Sequence, residues 1–273
     1  MNTLQLVKYH GFGNDFLITF HLDVPHADRA ALARRLCDRH RGVGADGLII
    51  GESDPNASAR MTLFNADGGR AEISGNGLRC LAHALARRRG DEGAVTMMIA
   101  TDAGVRRVEL EPTDDPATMF VTASMGEVTD LEAPSGWAAL GADPARPVAH
   151  LGVGNPHAVV VVDDLDAVDL AALGAAVPSV NLEIVAAGPD SHSITMRVHE
   201  RGVGITEACG SGACAAAVAA SRWGLAAPLD GKLVVHMDGG RASVGVHSNG
   251  AGETLVSLSG PTTFVATIEF PIR

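Results

Sequence analysis

Short apolar runs dominate the sequence and predict strands. They are rich in Val, Ile, Leu, Met and Phe and are separated by Gly, Pro, Asp and Asn, as is typical of β-strands joined by turns. The runs that predict strands are Leu4–Val7, Phe16–Phe20, Leu48–Ile50, Met61–Phe64, Thr96–Ala100, Val105–Leu110, Met119–Ala123, Ala158–Val162, Leu182–Ala186, Ile194–Val198, Lys232–His236, Thr254–Leu258 and Phe264–Phe270.

Four segments follow a helical pattern instead. In the first of them Leu32 and Leu36 are four positions apart with arginines around them, which is typical of an amphipathic helix. Because strands outnumber helices and many of them read as hairpins, we predict an α+β fold and not a regular βαβ winding. The predicted helices are Ala27–Arg39, Leu78–Arg89, Leu165–Ala176 and Ala213–Arg222.

Two Gly-rich motifs occur twice in the chain. Ser74–Gly77 and Cys209–Gly212 share the pattern [Ser/Cys]-Gly-x-Gly, each with a glutamate two residues earlier and an Ala-rich helical pattern afterwards. Upstream, Gly11–Asn14 and Gly152–Asn155 match as Gly-x-Gly-Asn. Chance similarity of Gly-rich loops would explain either pair alone. Both pairs keep the same order about half a chain apart, which favours two homologous halves.

This repeat divides the chain near its midpoint. We expect an αβ half at residues 1–128 and a second at 129–273, with the C-terminal tail able to pack back on the first. The segment Glu127–Pro147 is the predicted linker between them. It is marked by Pro134, Gly136, Gly141 and Pro144.

Composition and charge narrow the possible functions. The 273 residues are 46% hydrophobic, which is enough for a sizeable core. A net charge of −11 disfavours nucleic acid or an anionic membrane as a partner. There is no apolar run of transmembrane length, and Met1–Phe20 carries Lys8, His10 and Asp15 where a signal peptide needs an apolar core. We therefore expect a cytoplasmic protein with a small-molecule partner.

One of the four cysteines stands out. None has CxxC spacing or a zinc-finger pattern, so we expect no metal site. Cys37, Cys80 and Cys214 lie in helical patterns and read as buried small hydrophobes. Cys209 instead precedes Gly210 at the start of a helix that is apolar on every face. The free N–H groups and positive end of such a helix bind anions and lower the pKa of a thiol, so Cys209 is a candidate base or nucleophile.

Other polar residues have an ordinary structural explanation when taken singly. Ser74 is a favoured helix N-cap, and asparagines in Gly-rich loops are usually turn residues. Glu200 and Arg201 read as an exposed ion pair. The segment Gly42–Gly47 spells GxGxxG but follows a helix and precedes a strand, the reverse of the dinucleotide-binding order, so we interpret it as a turn.

Together, eight motifs in chain order resemble those of the diaminopimelate epimerases. The last is the most specific, and the match covers nearly the whole chain. The motifs are His10–Phe16, Gly42–Gly47, Phe64–Gly68, Gly75–Cys80, Gly154–His157, Val180–Asn181, Glu200–Gly202 and Ala208–Ala215.

The resemblance implies both a fold and an activity. It implies two pseudo-symmetric αβ domains, each a curved mixed sheet or barrel around a central helix, with the active site in the cleft between them, and a homodimer. It also implies inversion of one α-carbon of diaminopimelate, in lysine biosynthesis, without a cofactor. The scarcity of lysine agrees, because Lys8 and Lys232 are the only two and neither lies in a context suited to a pyridoxal-phosphate Schiff base.

The resemblance also implies roles for individual residues. Cys209 and the residue at position 74 are the acid and base on opposite faces of the α-carbon. The remaining residues bind substrate: backbone N–H groups hold the reacting carboxylate, and side chains recognise the distal end, contact its ammonium or line the site. The N–H groups are those of Gly75, Asn76, Gly210 and Ser211, and the side chains that recognise the distal end are those of Asn65, Asn155, Asn181 and Arg201. Glu200 contacts the ammonium of that end, and Asn14 and His157 line the site.

Position 74 departs from the family pattern, which has a cysteine there. A serine hydroxyl is a far weaker acid than a thiol, and Cys80 lies inside the helix where it does not replace it. Three explanations stay open: an engineered Cys→Ser change, a natural variant that epimerises slowly, or a one-base relative resembling the hydroxyproline dehydratases. The different-class alternative is a non-enzymatic amino-acid-binding protein.

Overall fold

The computed structural model describes residues 2–20, 22, 25–141, 143 and 145–272. Within these ranges it contains sixteen β-strands and four α-helices, which confirms the α+β prediction. The chain forms two compact units, residues 1–124 with 260–273 and residues 125–259. Within the described ranges, no helix is long and apolar enough to cross a membrane.

The first unit is built around helix α2. The order of hydrogen-bonded neighbours in its sheet is β8, β7, β6, β4, β3, β2, β1 and β16, and β8 also pairs with β16. The elements are β1 (Asn2–Gly11), β2 (Asn14–Thr19), α1 (Arg29–Cys37), β3 (Gly47–Glu52), β4 (Ala59–Asn65), β5 (Arg70–Ala71), α2 (Gly75–Arg89), β6 (Val95–Thr101), β7 (Gly104–Pro112), and parts of β8 (Thr118–Asp130) and β16 (Thr254–Ile272).

The second unit is built around helix α4. Its neighbouring strands run β9, β10, β11, β12, β14, β15 and β16, with β13 at the side of β12. The elements are β9 (Val148–Gly152), β10 (Pro156–Val161), α3 (Leu170–Ala176), β11 (Asn181–Ala187), β12 (Ser193–Glu200), β13 (Gly204–Thr206), α4 (Gly210–Trp223), β14 (Lys232–Met237) and β15 (Gly240–Ser248), together with the first part of β16.

The two units match element by element. The pairs β1·β2, β3·β4 and β6·β7 are antiparallel while β2·β3 and β4·β6 are parallel. The same alternation recurs at β9·β10, β11·β12 and β14·β15 and at β10·β11 and β12·β14. Helix α2 packs on β1, β2, β3, β4, β6 and β7, and α4 packs on β9, β10, β11, β12, β14 and β15. The prediction of two pseudo-symmetric halves is confirmed.

Each central helix is buried because its sequence allows it. Residues Gly210–Ala220 of α4 are all buried, and most are Gly or Ala, so the strands of its unit can approach the helix closely. Helix α1 instead lies on the outside of its unit. It buries Leu32 and Leu36 against β3 and β4 while Arg34 and Arg35 stay exposed, as the amphipathic pattern predicts.

Several sequence-based boundaries differ from the structure. The predicted helix Leu165–Ala176 is wrong over its first five residues, because the Asp169 side chain accepts a hydrogen bond from the Ala172 N–H and caps α3 there. The predicted linker is wrong at its start, where β8 continues to Asp130. A short 3₁₀ helix, Trp137–Leu140, follows between two left-handed glycines. Pro144 of this segment lies outside the described residues.

The unit boundaries also differ from a simple division of the sequence. The first boundary, after residue 124, falls within β8. Residues 260–273 belong to the first unit, where residues 263–272 of β16 pair with β1. The runs Thr254–Leu258 and Phe264–Phe270 form one strand, because the Ser-Gly-Pro between them continues the extended chain. Strands β5, β9, β13 and β15 were not predicted; they are short or carry small and polar residues.

Candidate active site

In the first unit, Ser74 caps the N-terminus of α2. Its backbone is extended (φ −133°, ψ 123°), and its hydroxyl oxygen accepts a hydrogen bond from the Gly77 N–H at 3.1 Å. The N–H groups of Gly75 and Asn76 have no carbonyl partner inside the helix, by the geometry of a helix start. The half-buried Ser74 hydroxyl keeps a proton that it can donate.

Two asparagines are held beside this helix start by a chain of hydrogen bonds. The buried Asn76 donates from Nδ2 to Asn14 Oδ1 at 3.2 Å, and Asn14 donates in turn to Asp46 at 2.8 Å. Both amide orientations follow from this chain, since Asp46 can only accept. Asp46 belongs to the Gly-rich turn before β3, so this turn, which sequence reasoning set aside, fixes Asn14. Asn65 is the last residue of β4, and its backbone N–H donates to the Gly69 carbonyl oxygen. Among the described residues, its side chain is not part of this series of hydrogen bonds.

Arg79 lies in the motif Gly75–Cys80, and its side chain anchors Asn76. Its side chain is fully buried and donates to Asn76 Oδ1 at 2.7 Å and to the Gly260 carbonyl oxygen at 2.9 Å. The guanidinium also lies over the Phe12 ring, 4.7 Å from its centre. Arg79 therefore joins the helix start to the last strand of the same unit.

Replacing Arg79 by Met is expected to destabilise the protein by about 3 kcal/mol, because it removes the donor for a buried carbonyl and a buried amide. Thermal and urea unfolding would measure this loss. The matched control is Arg89→Met on the same helix, where the exposed side chain donates to the Ser58 carbonyl oxygen and the expected effect is below about 1 kcal/mol. Equal effects of the two substitutions would refute the anchoring role of Arg79.

In the second unit, Cys209 takes the place that Ser74 has in the first. It caps α4 with an extended backbone (φ −119°, ψ 115°), and its sulfur accepts from the Gly212 N–H at 3.4 Å. The Ser211 hydroxyl lies 3.6 Å from the sulfur. As at α2, the first N–H groups, those of Gly210 and Ser211, have no carbonyl partner inside the helix.

The acidity of Cys209 differs from the expectation based on the helix end alone. Burial raises the pKa of the thiol well above its ordinary value, and the carboxylates of Glu200 and Glu183 raise it further. Hydrogen bonds from Ser211 and Gly212 oppose this shift without overcoming it. The expected lowering of the Cys209 pKa is therefore wrong, because burial and the two carboxylates outweigh the helix end.

Glu200 lies beside the thiol at the end of β12. Burial raises the pKa of its carboxyl, while hydrogen bonds from the Thr206 hydroxyl and the Cys209 thiol lower it. Thr206 is on β13, so this short strand helps to hold Glu200 in place. Glu200 was expected to be exposed, but its carboxyl is largely buried among these contacts. Glu200 is thus a hydrogen-bond acceptor for Cys209.

His157 has a buried partner that sequence reasoning missed. Its Nδ1 lies 2.6 Å from Glu183 Oε1, and neither side chain is exposed. Its Nε2 lies 3.0 Å from Asn155 Oδ1. Glu183 is two residues after Asn181 on β11 and therefore on the same face of the strand. The sequence signal for this pair is a carboxylate between Leu182 and Ile184, two residues after Asn181 in a strand that is otherwise apolar from there on.

Asn181 and Arg201 are joined through the backbone. Asn181 Oδ1 accepts from the Arg201 N–H at 2.9 Å, and its Nδ2 donates to the Pro156 carbonyl oxygen at 3.3 Å. Asn181 thus holds the turn that presents the exposed Arg201 and the strand that carries His157. The structure groups the predicted residues of this unit as Asn155 with His157, Asn181 with Arg201, and Glu200, Gly210 and Ser211 with Cys209.

The chemistry available to each unit follows from these contacts. Each central helix begins with N–H groups that point away from the helix, an arrangement suited to a carboxylate, and with a proton-bearing side chain at its N-cap. Cys37 and Cys80 are buried, and burial raises the pKa of each to about 12, which fits their expected structural role. Among the described residues, no group of three or more His, Cys, Asp or Glu side chains is placed to hold a metal ion.

Solved structures share this fold over nearly the whole chain. A phenazine biosynthesis protein from Bacillus anthracis aligns over 100% of both chains with a TM-score of 0.78 at 18% identity. A probable proline racemase from Agrobacterium radiobacter aligns over 99% of this chain and 93% of its own, with a TM-score of 0.74 at 16% identity.

Sequence similarity then identifies the family. The sequence profile described as diaminopimelate epimerase matches residues 6–131 and 150–265. The diaminopimelate epimerase of Rhodospirillum centenum is 35% identical over 97% of this chain and 91% of its own. That of Acidiphilium cryptum is 37% identical over 95% and 93%. The chain belongs to the diaminopimelate epimerase family and is an amino-acid epimerase, an isomerase.

Proposed function

We propose that this protein interconverts LL- and meso-diaminopimelate without pyridoxal phosphate, with Cys209 as the principal acid/base and Ser74 in the partner position. The observation that carries the proposal is the equivalence of these two residues. Each is an extended N-cap whose side chain accepts from the N–H three residues later, on matching central helices. Inverting a stereocentre requires one proton-transfer group for each face of the carbon.

The helix starts supply the binding of the reacting carboxylate. The N–H groups of Gly75, Asn76, Gly210 and Ser211 and the positive helix ends favour a carboxylate and the negative charge that develops when the α-proton leaves. Asn76 is rigid because Arg79 and Asn14 fix its side chain. A rigid donor is worth more to the transition state than a mobile one.

Glu200 links substrate binding to the protonation of Cys209. The Glu200 carboxylate and the burial of the sulfur both disfavour a thiolate at Cys209. Glu200 was expected at the ammonium of the distal end; because it lies beside Cys209, we propose that it instead binds the ammonium on the reacting α-carbon. That ammonium offsets the negative charge, so that thiolate forms when the α-carbon is in place. Asn65, Asn155, Asn181 and Arg201 then recognise the distal amino-acid end, with Asn14 and His157 lining the site. The cytoplasmic location and the homodimer remain predictions.

A substrate comparison tests the proposal. Purified protein is incubated separately with LL-diaminopimelate, meso-diaminopimelate, L-proline and trans-4-hydroxy-L-proline, and the stereoisomers are separated by chiral chromatography. We expect conversion of both diaminopimelate isomers only, and no conversion by Cys209→Ala. Loss of water from hydroxyproline would support the dehydratase alternative. Tight binding of diaminopimelate with no conversion, even by Ser74→Cys, would support the binding-protein alternative; either outcome would overturn the proposal.

A further inference from the structure

The two units differ sharply at one matched pair of core positions. By strand register, His157 on β10 corresponds to Phe16 on β2, since each pairs with the first residue of the following parallel strand, Asn181 or Gly47. Glu183 likewise corresponds to the third residue of β3, Ile49. The second unit therefore holds a histidine and a glutamate where the first holds two apolar side chains.

The glycines of the central helices confirm this correspondence. A Cβ placed on Gly77 of α2 would meet the Ile49 side chain at 3.0 Å. A Cβ placed on the matching Gly212 of α4 would meet Glu183 Oε1 at 2.5 Å. Glu183 thus packs against the first turn of α4, the turn whose N-cap is Cys209, just as Ile49 packs against the turn capped by Ser74.

Packing alone does not explain the polar pair. The first unit shows that this fold fills the two positions with apolar side chains. Burying two ionisable groups incurs a desolvation penalty that their mutual attraction only partly offsets. The second carboxyl oxygen of Glu183, Oε2, is buried and has no hydrogen-bond partner among the described residues, which adds to this penalty. A costly pair kept beside Cys209 indicates a role in the chemistry of Cys209.

The hydrogen bonds define the protons of the pair. Because Asn155 Oδ1 accepts from His157 Nε2, that nitrogen carries a proton. The short contact between His157 Nδ1 and Glu183 Oε1 holds one more proton. With it the pair is electrically neutral wherever the proton lies between the two atoms, and without it the pair carries one negative charge.

The charge of this pair matters because other groups already disfavour a thiolate. Among the described residues, the charged groups that act most strongly on the Cys209 thiol are Glu200 on β12 and Glu183 on β11, and both carboxylates oppose loss of the thiol proton. Formation of a thiolate beside two uncompensated carboxylates would gather three negative charges in a buried site. The proton shared between His157 and Glu183 removes one of them.

We propose that the His157–Glu183 pair governs how readily Cys209 releases its proton, by holding one proton so that Glu183 adds no net charge beside the thiol. Glu183 is then a positioning residue of the acid/base site, acting on the reaction through Cys209. The inference rests on the proposed role of Cys209. Its test reads the thiol directly and needs no substrate.

The first variant, His157→Gln, keeps a hydrogen-bond donor for Glu183 but cannot carry the extra charge. The rate of Cys209 alkylation by iodoacetamide is followed against pH, with the modified cysteine assigned by peptide mass mapping and Cys209→Ala as the blank. We expect the profile to move to higher pH by about one unit or more. The limiting rate at high pH reports how accessible the sulfur is. The variants are therefore compared by the pH at the midpoint of the profile and not by the limiting rate.

The second variant, His157→Phe/Glu183→Ile, copies the first unit. We expect its profile to return to within about half a pH unit of the unmodified protein, or below, since the carboxylate is gone. We also expect unfolding at the same temperature or higher. The doubly amidated His157→Gln/Glu183→Gln serves as a second charge-free version should the apolar one not fold.

Two results would overturn the inference. One is a His157→Gln profile that matches the unmodified protein. The other is a charge-free double variant displaced as far as His157→Gln, since a purely structural pair would not recover when both members are lost. Failure of the proposed function is distinguishable, because it appears as no conversion of diaminopimelate while these thiol profiles still respond as stated.

Discussion

Replacing Ser74 by cysteine is expected to raise the rate of diaminopimelate inversion by roughly 100-fold or more. The Ser74 hydroxyl is placed as an N-cap at the start of α2, so a thiol there would occupy the same position as Cys209 has on α4. A thiol ionises far more readily than a hydroxyl and so transfers the second proton in both directions. Initial rates from each isomer measure the gain.

The control for this gain is Ser74→Ala, which removes the proton-bearing group together with the cap. It is expected to lower the free energy of unfolding by about 1 kcal/mol and to lower turnover further. Cys80 does not supply the missing thiol, because it is fully buried on α2 and burial raises its pKa to about 12. An unchanged rate in Ser74→Cys would contradict a proton-transfer role for this position.

Replacing Cys209 by alanine is expected to lower turnover by roughly 1,000-fold or more, since it removes the principal acid/base. The loss should appear in kcat and not in the dissociation constant for diaminopimelate, because the helix N–H groups and the residues assigned to the distal end are untouched. Steady-state kinetics and calorimetric titration measure the two quantities separately.

Cys214→Ala is the matched control for this substitution. Cys214 is buried on the same helix one turn further on, where a cysteine acts as a small apolar side chain. We expect the variant to keep its turnover within about twofold and to lose about 1 kcal/mol of stability. Full activity in Cys209→Ala would show that the proposed mechanism is wrong.

The sequence indicates the N-caps of the two central helices because their chemistry is local, although the predicted helices Leu78–Arg89 and Ala213–Arg222 begin three residues too late. Serine or cysteine followed by Gly-x-Gly before an Ala-rich run is enough to place an N-cap and a buried helix, and both Ser74 and Cys209 lie at such caps. The repeat of the motifs also predicts the two matching halves. These features depend on residues within a few positions of one another.

The parts that sequence reasoning missed depend on contacts between distant segments. Glu183 meets His157 only through the parallel pairing of β10 and β11, and Arg79 meets Gly260 only when the last strand returns to the first unit. The acidity of Cys209 has the same origin. The helix end is visible in the sequence, whereas the burial and the carboxylates that outweigh it come from neighbouring strands.

The most direct test of the central claim, inversion by proton transfer on both faces of the α-carbon, is a solvent-deuterium experiment. LL-diaminopimelate is incubated with the protein in D2O, and at low conversion both isomers are isolated and analysed by mass spectrometry. The account predicts that the meso product carries deuterium at the inverted carbon while the remaining LL isomer stays largely unlabelled. Deuterium accumulating in the LL isomer without inversion would contradict it and show exchange by a single base.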